Sequence, residues 1–219
     1  DIVSGNIAIE FNGLVWHSFG KSKYSMLNNF RKEPSEKLKH LKKTELCESK
    51  NIKLFHIFEN EWVGKREIWK SIIKNAQGKS IKIHARKCTI KEISSKDSKL
   101  FLEDNHMQGA INSKFSVGLF FENNGKDELV SVMTFGKPRF NTHAEWELLR
   151  MCNKINLLVV GGFSRMLKYF EINKSPKSLI SYANRRWSNG HVYEKLGFTF
   201  IRKTKPNYFY FKENTYELF

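Results

Sequence analysis

Apolar residues in this chain come in short runs separated by lysine-rich stretches, and that spacing limits the fold more than any other feature. Ile7-Ala8-Ile9-Glu10-Phe11-Asn12, Ile52-Lys53-Leu54-Phe55-His56-Ile57-Phe58, Ser116 to Phe121 and Leu129 to Phe135 have the length and composition of strands. None approaches the roughly 18–20 apolar residues that span a bilayer, and no basic segment leads into an apolar core at the start. Between the strands the period changes. Ser35 to Lys50 carries Leu38, Leu41, Leu46 and Cys47 among lysines behind Pro34-Ser35, an amphipathic helix, and Arg66 to Asn75 repeats the pattern with Ile68, Trp69, Ile72 and Ile73.

The second half continues in the same style. A strand is expected over Ile81 to Cys88, a helix near Lys96 to Asn105, and a hairpin whose strands flank the loop Glu122 to Asp127. Trp146 to Met151, Leu157 to Val160 and Ser178 to Tyr182 read as further strands, Ser164 to Phe170 as a helix, and His191 to Leu196 as a short helix closed by Gly197. Phe198 to Arg202 and Tyr208 to Phe211 are expected to end the chain as strands. The fold class is therefore α+β with a mainly antiparallel sheet in the second half. Asn75-Ala76-Gln77-Gly78-Lys79-Ser80, where an apolar helix stops at a glycine, sets the expected domain boundary, giving domains 1–78 and 79–219. The chain opens without Met inside a strand pattern, so further sequence is expected upstream.

Of 219 residues, 38 are Lys or Arg and 22 Asp or Glu, a net charge of +16. Both parts share it: 15 basic against 9 acidic residues over 1–79, and 23 against 13 over 80–219. With 18 Phe and 40% hydrophobic residues the chain has material for real cores, which excludes a disordered basic tail. Such an excess gains a polyphosphate binder affinity through counterion release, so nucleic acid is the expected partner and a membrane is not. Cys47, Cys88 and Cys152 are odd in number and far apart, which excludes a four-cysteine zinc site and suits a reducing, cytoplasmic compartment.

Glu10 and Asn12 lie two apart on one strand and leave it on the same face. A half-buried carboxylate there needs a cation. Two readings are open: a divalent metal shared with Asp1, brought alongside by a hairpin around Ser4-Gly5-Asn6, or an ion pair with Lys53 of the neighbouring strand. Two carboxylates on one Mg²⁺, with His17 as proton donor or acceptor, would form a phosphodiester-cleaving site. Glu59 and Glu61 read as supporting residues, His56 as a strand-surface residue, and His40 as solvated on the basic helix.

The stretch Ile7 to His17 with Asp1 before it, then His40-Leu41-Lys42-Lys43-Thr44-Glu45-Leu46-Cys47, then Leu54 to Trp62, resembles the nuclease core of phage homing endonucleases related to the very short patch repair endonucleases, in the PD-(D/E)XK superfamily. That resemblance covers about residues 1–75 and implies a restriction-endonuclease-like core, Mg²⁺-dependent cleavage of double-stranded DNA, and action in the cytoplasm of a bacterial host. It implies Asp1 and Glu10 as metal ligands, His17 as the catalytic histidine, and Asn12 at the position usually held by a lysine. An amide cannot supply the lysine's charge, and Lys43 is the candidate to do so.

Ser181-Tyr182-Ala183-Asn184-Arg185-Arg186 followed by Asn189 to Phe198 resembles the closing motif of GNAT acyltransferases, nearest the branch of the phage DNA-modification protein Mom. The likeness spans roughly residues 81–211 and implies a GNAT-like mixed sheet. Under it, Gly161, Gly162 and Tyr193 would line an acetyl-CoA site, although the usual pyrophosphate loop is not matched at 159–165. Spacing alone allows a phosphate-binding turn or an ordinary tight turn at Gly161-Gly162. The same fold can instead grip DNA, for which Lys137, Arg139, Arg150, Arg185, Arg186, Lys203 and Lys205, interleaved with aromatics and expected in turns, are the candidates.

Overall fold

A computed structural model describes residues 1–14, 38–141, 143–207 and 209–210. The fold is α+β. The chain divides into two compact units, one of Asp1–Arg66, Asn184–His191 and Phe200–Phe219, the other of Glu67–Ala183 and Val192–Thr199. The border at Arg66 precedes Gly78 and falls inside a helix, and the chain returns to the first unit late, a crossing that no local sequence signal marks.

In the first unit, β1 (Ile2–Ser4) and β2 (Ile7–Asn12) form an antiparallel hairpin in the register Ile2↔Ile9. Its turn uses Gly5 at φ 59°, in the left-handed region that glycine enters at no steric cost. Helix α1 (Lys39–Ser49) then carries the chain to β3 (Lys53–Phe58), which pairs with β2 in parallel, Glu10 opposite His56. Parallel neighbours require such a crossover. Pro34-Ser35, the expected cap, lies outside the described residues. The other end of α1 closes through Asn51 at φ 56°, whose neighbour Ile52 donates its N–H to Cys47 O at 2.9 Å.

Helix α2 (Glu59–Ala76) begins directly after β3, seven residues ahead of the expected start, and bends at Lys65 (φ −133°, ψ 32°). Glu59 and Glu61 thus occupy its first turn, where carboxylates offset the helix dipole.

The second unit is built on a five-stranded sheet in the order β10-β8-β7-β6-β5: β5 (Cys88–Glu92), β6 (Phe115–Asn123), β7 (Lys126–Gly136), β8 (Trp146–Asn153) and β10 (Leu179–Ser181). All neighbours are antiparallel except β10 and β8. A separate parallel pair joins β4 (Ile81–His84) to β9 (Leu157–Val160). The expected strand Ile81 to Cys88 is therefore two strands of two sheets, parted by a 3₁₀ turn at Ala85–Lys87. Arg165 stabilises that turn by donating to the carbonyls of Ala85 and Cys88. The loop expected at Glu122 to Asp127 closes into two residues, Asn124 (φ 52°) and Gly125 (φ 75°), with Asn123 paired to Lys126. Two successive positive φ angles match the right-handed twist of the flanking strands.

Helix α3 (Ser95–Asn105) is capped by Ser94, whose hydroxyl accepts from Asp97 N at 3.0 Å. Helix α4 (Gly162–Lys174) lays Met166, Leu167 and Phe170 against Phe115, Leu119, Met133, Phe135 and Leu148 of the sheet. A short α5 (His191–Lys195) follows. Phe198 to Arg202 forms no strand, because Phe198 turns back after Gly197 (φ 87°) to meet the Tyr193 ring edge-on, 5.7 Å between centroids. Of the strand expected over Tyr208 to Phe211, both ends lie outside the described residues. Among the described residues no helix is long and apolar enough to cross a membrane.

Phe135 and Phe170 are fully buried and stacked 3.7 Å apart. Phe170→Ala is expected to cost roughly 3–5 kcal/mol, read as a lowered urea midpoint with an unchanged slope.

Candidate metal centre

Ala8, Glu10 and Asn12 alternate along β2 and are all buried, so their side chains leave the sheet on one face. The parallel register sets His56 beside Glu10. Helix α1 contributes His40, Lys43 and Thr44, whose spacings of three and four place them on one side of a helix. Lys43 Nζ donates to Glu10 Oε1. Glu10 Oε2 lies 2.8 Å from His56 Nδ1 and 3.5 Å from His40 Nδ1.

Both nitrogens of His56 are engaged. Thr44 Oγ1 lies 2.8 Å from the His40 carbonyl and 2.8 Å from His56 Nε2. Burial holds the His56 pKa at about 4 against the opposing charge of Glu10, so the ring is neutral near pH 7. A neutral ring carries one proton: on Nδ1 it faces Glu10 Oε2, and on Nε2 it faces Thr44 and leaves Nδ1 a lone pair beside the carboxylate, the tautomer that a metal ligand adopts.

Burial acts to raise the Glu10 pKa, but the hydrogen bond from Lys43 and the charges of His56, Lys43 and His40 outweigh it and hold the carboxyl below its usual value. His40 is lowered, by burial above all, with Glu10 opposing. One carboxylate and two imidazoles, their ligand atoms all within 4.8 Å of one another, form a group that can hold a metal ion.

This is not the pair of carboxylates that the sequence suggests. The β1–β2 hairpin forms, but Asp1 is exposed and stands outside the donor group. His56 is buried instead of lying on a strand surface, and His40 faces Glu10 instead of solvent. The register of β2 and β3, which no residue pattern announces, decides the first, and the face that α1 turns to Glu10 decides the second; the signal within reach was His40, Lys43 and Thr44 sharing a helix face. Lys43 is paired with Glu10. Lys53, the rival partner, stands beside Ile7 and holds its ammonium 4.9 Å from the Phe55 ring centre. Asn12 is fully buried and donates to Glu10 O at 3.3 Å. His17 lies outside the described residues. Glu59 accepts from Leu14 N at 3.0 Å, and Glu61 pairs with Arg186 at 2.7 Å.

The basic candidates differ in surroundings. Lys137 and Arg139 follow β7 in a loop, and Lys205 is exposed. Arg150 lies within β8 and is buried, not in a turn. Arg185 and Lys203 meet Glu48 at 2.7 and 3.7 Å, and Arg186 meets Glu61, so each faces an acidic partner. In the second unit Gly161 takes φ 76° at the start of α4, in a cleft with His84, Arg86 and Arg165. A Cβ on Gly162 would come within 3.0 Å of Val159 Cγ1 and 3.2 Å of Leu119, so close packing of α4 already accounts for that glycine. Tyr193 is in α5 and packs against the core. Comparison of the chain with protein-family models, with curated proteins and with solved structures gave no match.

The lowered His56 pKa carries a sign. Below the ordinary value of 6.5 the unfolded chain takes up the proton that the folded ring refuses until about pH 4. In chelator, stability is expected to be full above pH 6.5 and to fall by up to about 3 kcal/mol as pH drops through that window. Urea midpoints across it test this, and His56→Gln should flatten the slope.

Proposed function

We propose that the first unit is a metal-dependent endonuclease core of the very short patch repair type, hydrolysing phosphodiester bonds of double-stranded DNA. The observation that carries the reading is the buried Glu10 carboxylate with His40 and His56, whose ligand atoms lie within 4.8 Å of one another. Such a group can hold a metal ion, and the net charge of +16 favours a polyanionic substrate.

Glu10, His40 and His56 would hold the ion, which supplies Lewis acidity at a phosphoryl oxygen. The resemblance implies Mg²⁺, an ion that prefers oxygen ligands. Two imidazoles with one carboxylate are the donor chemistry of Mn²⁺, Co²⁺ or Zn²⁺, and one of these is the ion we assign. Lys43 places an ammonium at Glu10 Oε1, where it takes the part of the lysine that Asn12 replaces and offsets the charge of an incoming phosphate. Asn12 Nδ2 ties the end of β2 to the Glu10 carbonyl and keeps the carboxylate in position. Water attacks phosphorus, one P–O ester bond breaks, and the leaving oxygen takes a proton. His17 is assigned that proton transfer. In this reading the second unit is a GNAT-like domain that contributes grip on DNA.

Plasmid cleavage assayed with Mg²⁺, Mn²⁺, Co²⁺ or Zn²⁺ tests the proposal. Cutting is expected with a transition ion, and His56→Ala or Glu10→Gln should lower its rate about a hundredfold or more. Cutting undiminished in Glu10→Gln would overturn the site, and cutting supported by Mg²⁺ alone would overturn the choice of ion.

A further inference from the structure

The second unit buries a group of charges that does not balance. Glu147 on β8 is fully buried, and one residue takes both of its oxygens: Oε1 accepts from Arg139 Nε at 2.9 Å and Nη2 at 2.6 Å, and Oε2 accepts from the Arg139 backbone N–H at 2.7 Å. Arg150, three residues further along the strand, is 9% exposed. Its Nη1 donates to Leu149 O at 2.8 Å, while its Nε has no hydrogen-bond partner among the described residues. Two guanidiniums thus share one carboxylate, and that carboxylate is already bidentate to the first. Burial, and after it the nearby charge of Arg139, bring Arg150 down to about 10, against the opposing pull of Glu147 and Tyr193. A cation left in this state is strongly destabilising unless an anion completes its coordination.

The surroundings describe that anion. Arg139 holds its guanidinium 5.5 Å from the centre of the Phe140 ring, and Phe140 meets Tyr182 edge-on at 5.6 Å. Phe140 is 76% exposed, a large aromatic offered to solvent beside the Arg139 guanidinium. Tyr193, whose hydroxyl donates to Tyr182 O at 3.5 Å, adds a phenol near Arg150. Guanidinium forks match phosphate oxygens, and an exposed ring offers a stacking platform to a base.

We propose that Arg150 and Arg139 form an oxyanion site that holds the phosphate of a nucleotide whose base stacks on Phe140. The nucleotide belongs either to a nucleic-acid strand or to a free mononucleotide; the chemistry of recognition is shared. The site rests on residues of the second unit alone and stands whether or not the first unit is a nuclease.

The test uses the full chain in chelator, which silences the metal centre, and measures binding of a short single-stranded oligonucleotide, a nucleoside 5′-monophosphate and inorganic phosphate at physiological salt. Arg150→Gln is expected to weaken the oligonucleotide or the mononucleotide about tenfold, and Phe140→Ala to weaken the same ligand comparably while leaving inorganic phosphate unchanged. Selective loss of the oligonucleotide identifies a strand as the ligand, and selective loss of the mononucleotide a free nucleotide. Should Arg150→Gln fail to fold, Phe140→Ala, a surface change, decides by itself. Binding of both nucleotides at wild-type strength in Phe140→Ala, or inorganic phosphate bound as tightly as either nucleotide, would overturn the proposal.

Discussion

A carboxylate buried in a β-strand is the constraint around which the first unit is organised. Glu10 is 4% exposed, and an ionised group in that position is sustained only by close cations and hydrogen bonds. The fold supplies them from two directions. β3 brings His56 alongside through the parallel register, and α1 brings Lys43 and His40 through its helical spacing. Thr44 completes the arrangement at 2.8 Å from His56 Nε2, which holds the ring with Nδ1 toward the carboxylate. Each contact has a reason in the need to stabilise one charge, and the same contacts leave a set of donor atoms facing a common point.

The second unit shows the opposite sign of the same problem. Glu147 is as buried as Glu10 but is saturated by Arg139, so the charge left over is the cation Arg150. A buried carboxylate among imidazoles can hold a metal ion, and a guanidinium without a carboxylate of its own can hold an oxyanion. Both imbalances sit on strands whose other face packs a core of Phe and aliphatic side chains, or lie next to such strands, so the backbone that presents them is held in place by packing.

Much of the framework was legible in local pattern. Ile7 to Asn12, Lys53 to Phe58 and the hairpin strands either side of Asn124-Gly125 announce themselves by composition, because strand preference and turn chemistry act within a few residues. Other elements were misread for equally physical reasons. Ile81 to Cys88 reads as one strand, yet a 3₁₀ turn braced by Arg165, from eighty residues away, splits it between two sheets. Phe198 to Arg202 has strand composition, but the Phe198 ring gains more from Tyr193 than its backbone gains from a ladder.

The sequence by itself determined that this chain is α+β, strongly basic, and equipped with a conspicuous carboxylate at Glu10 and a lysine at position 43 able to answer it. Those properties depend on residue identity and short-range spacing, which survive without a fold. Only the tertiary structure decided that His56 and His40, not Asp1, share Glu10, and that Arg150 is a buried and unbalanced cation instead of a surface clamp. Strand register, a crossover helix and the exhaustion of one carboxylate by another arginine are properties of distances between residues far apart in the chain, and no local preference encodes them.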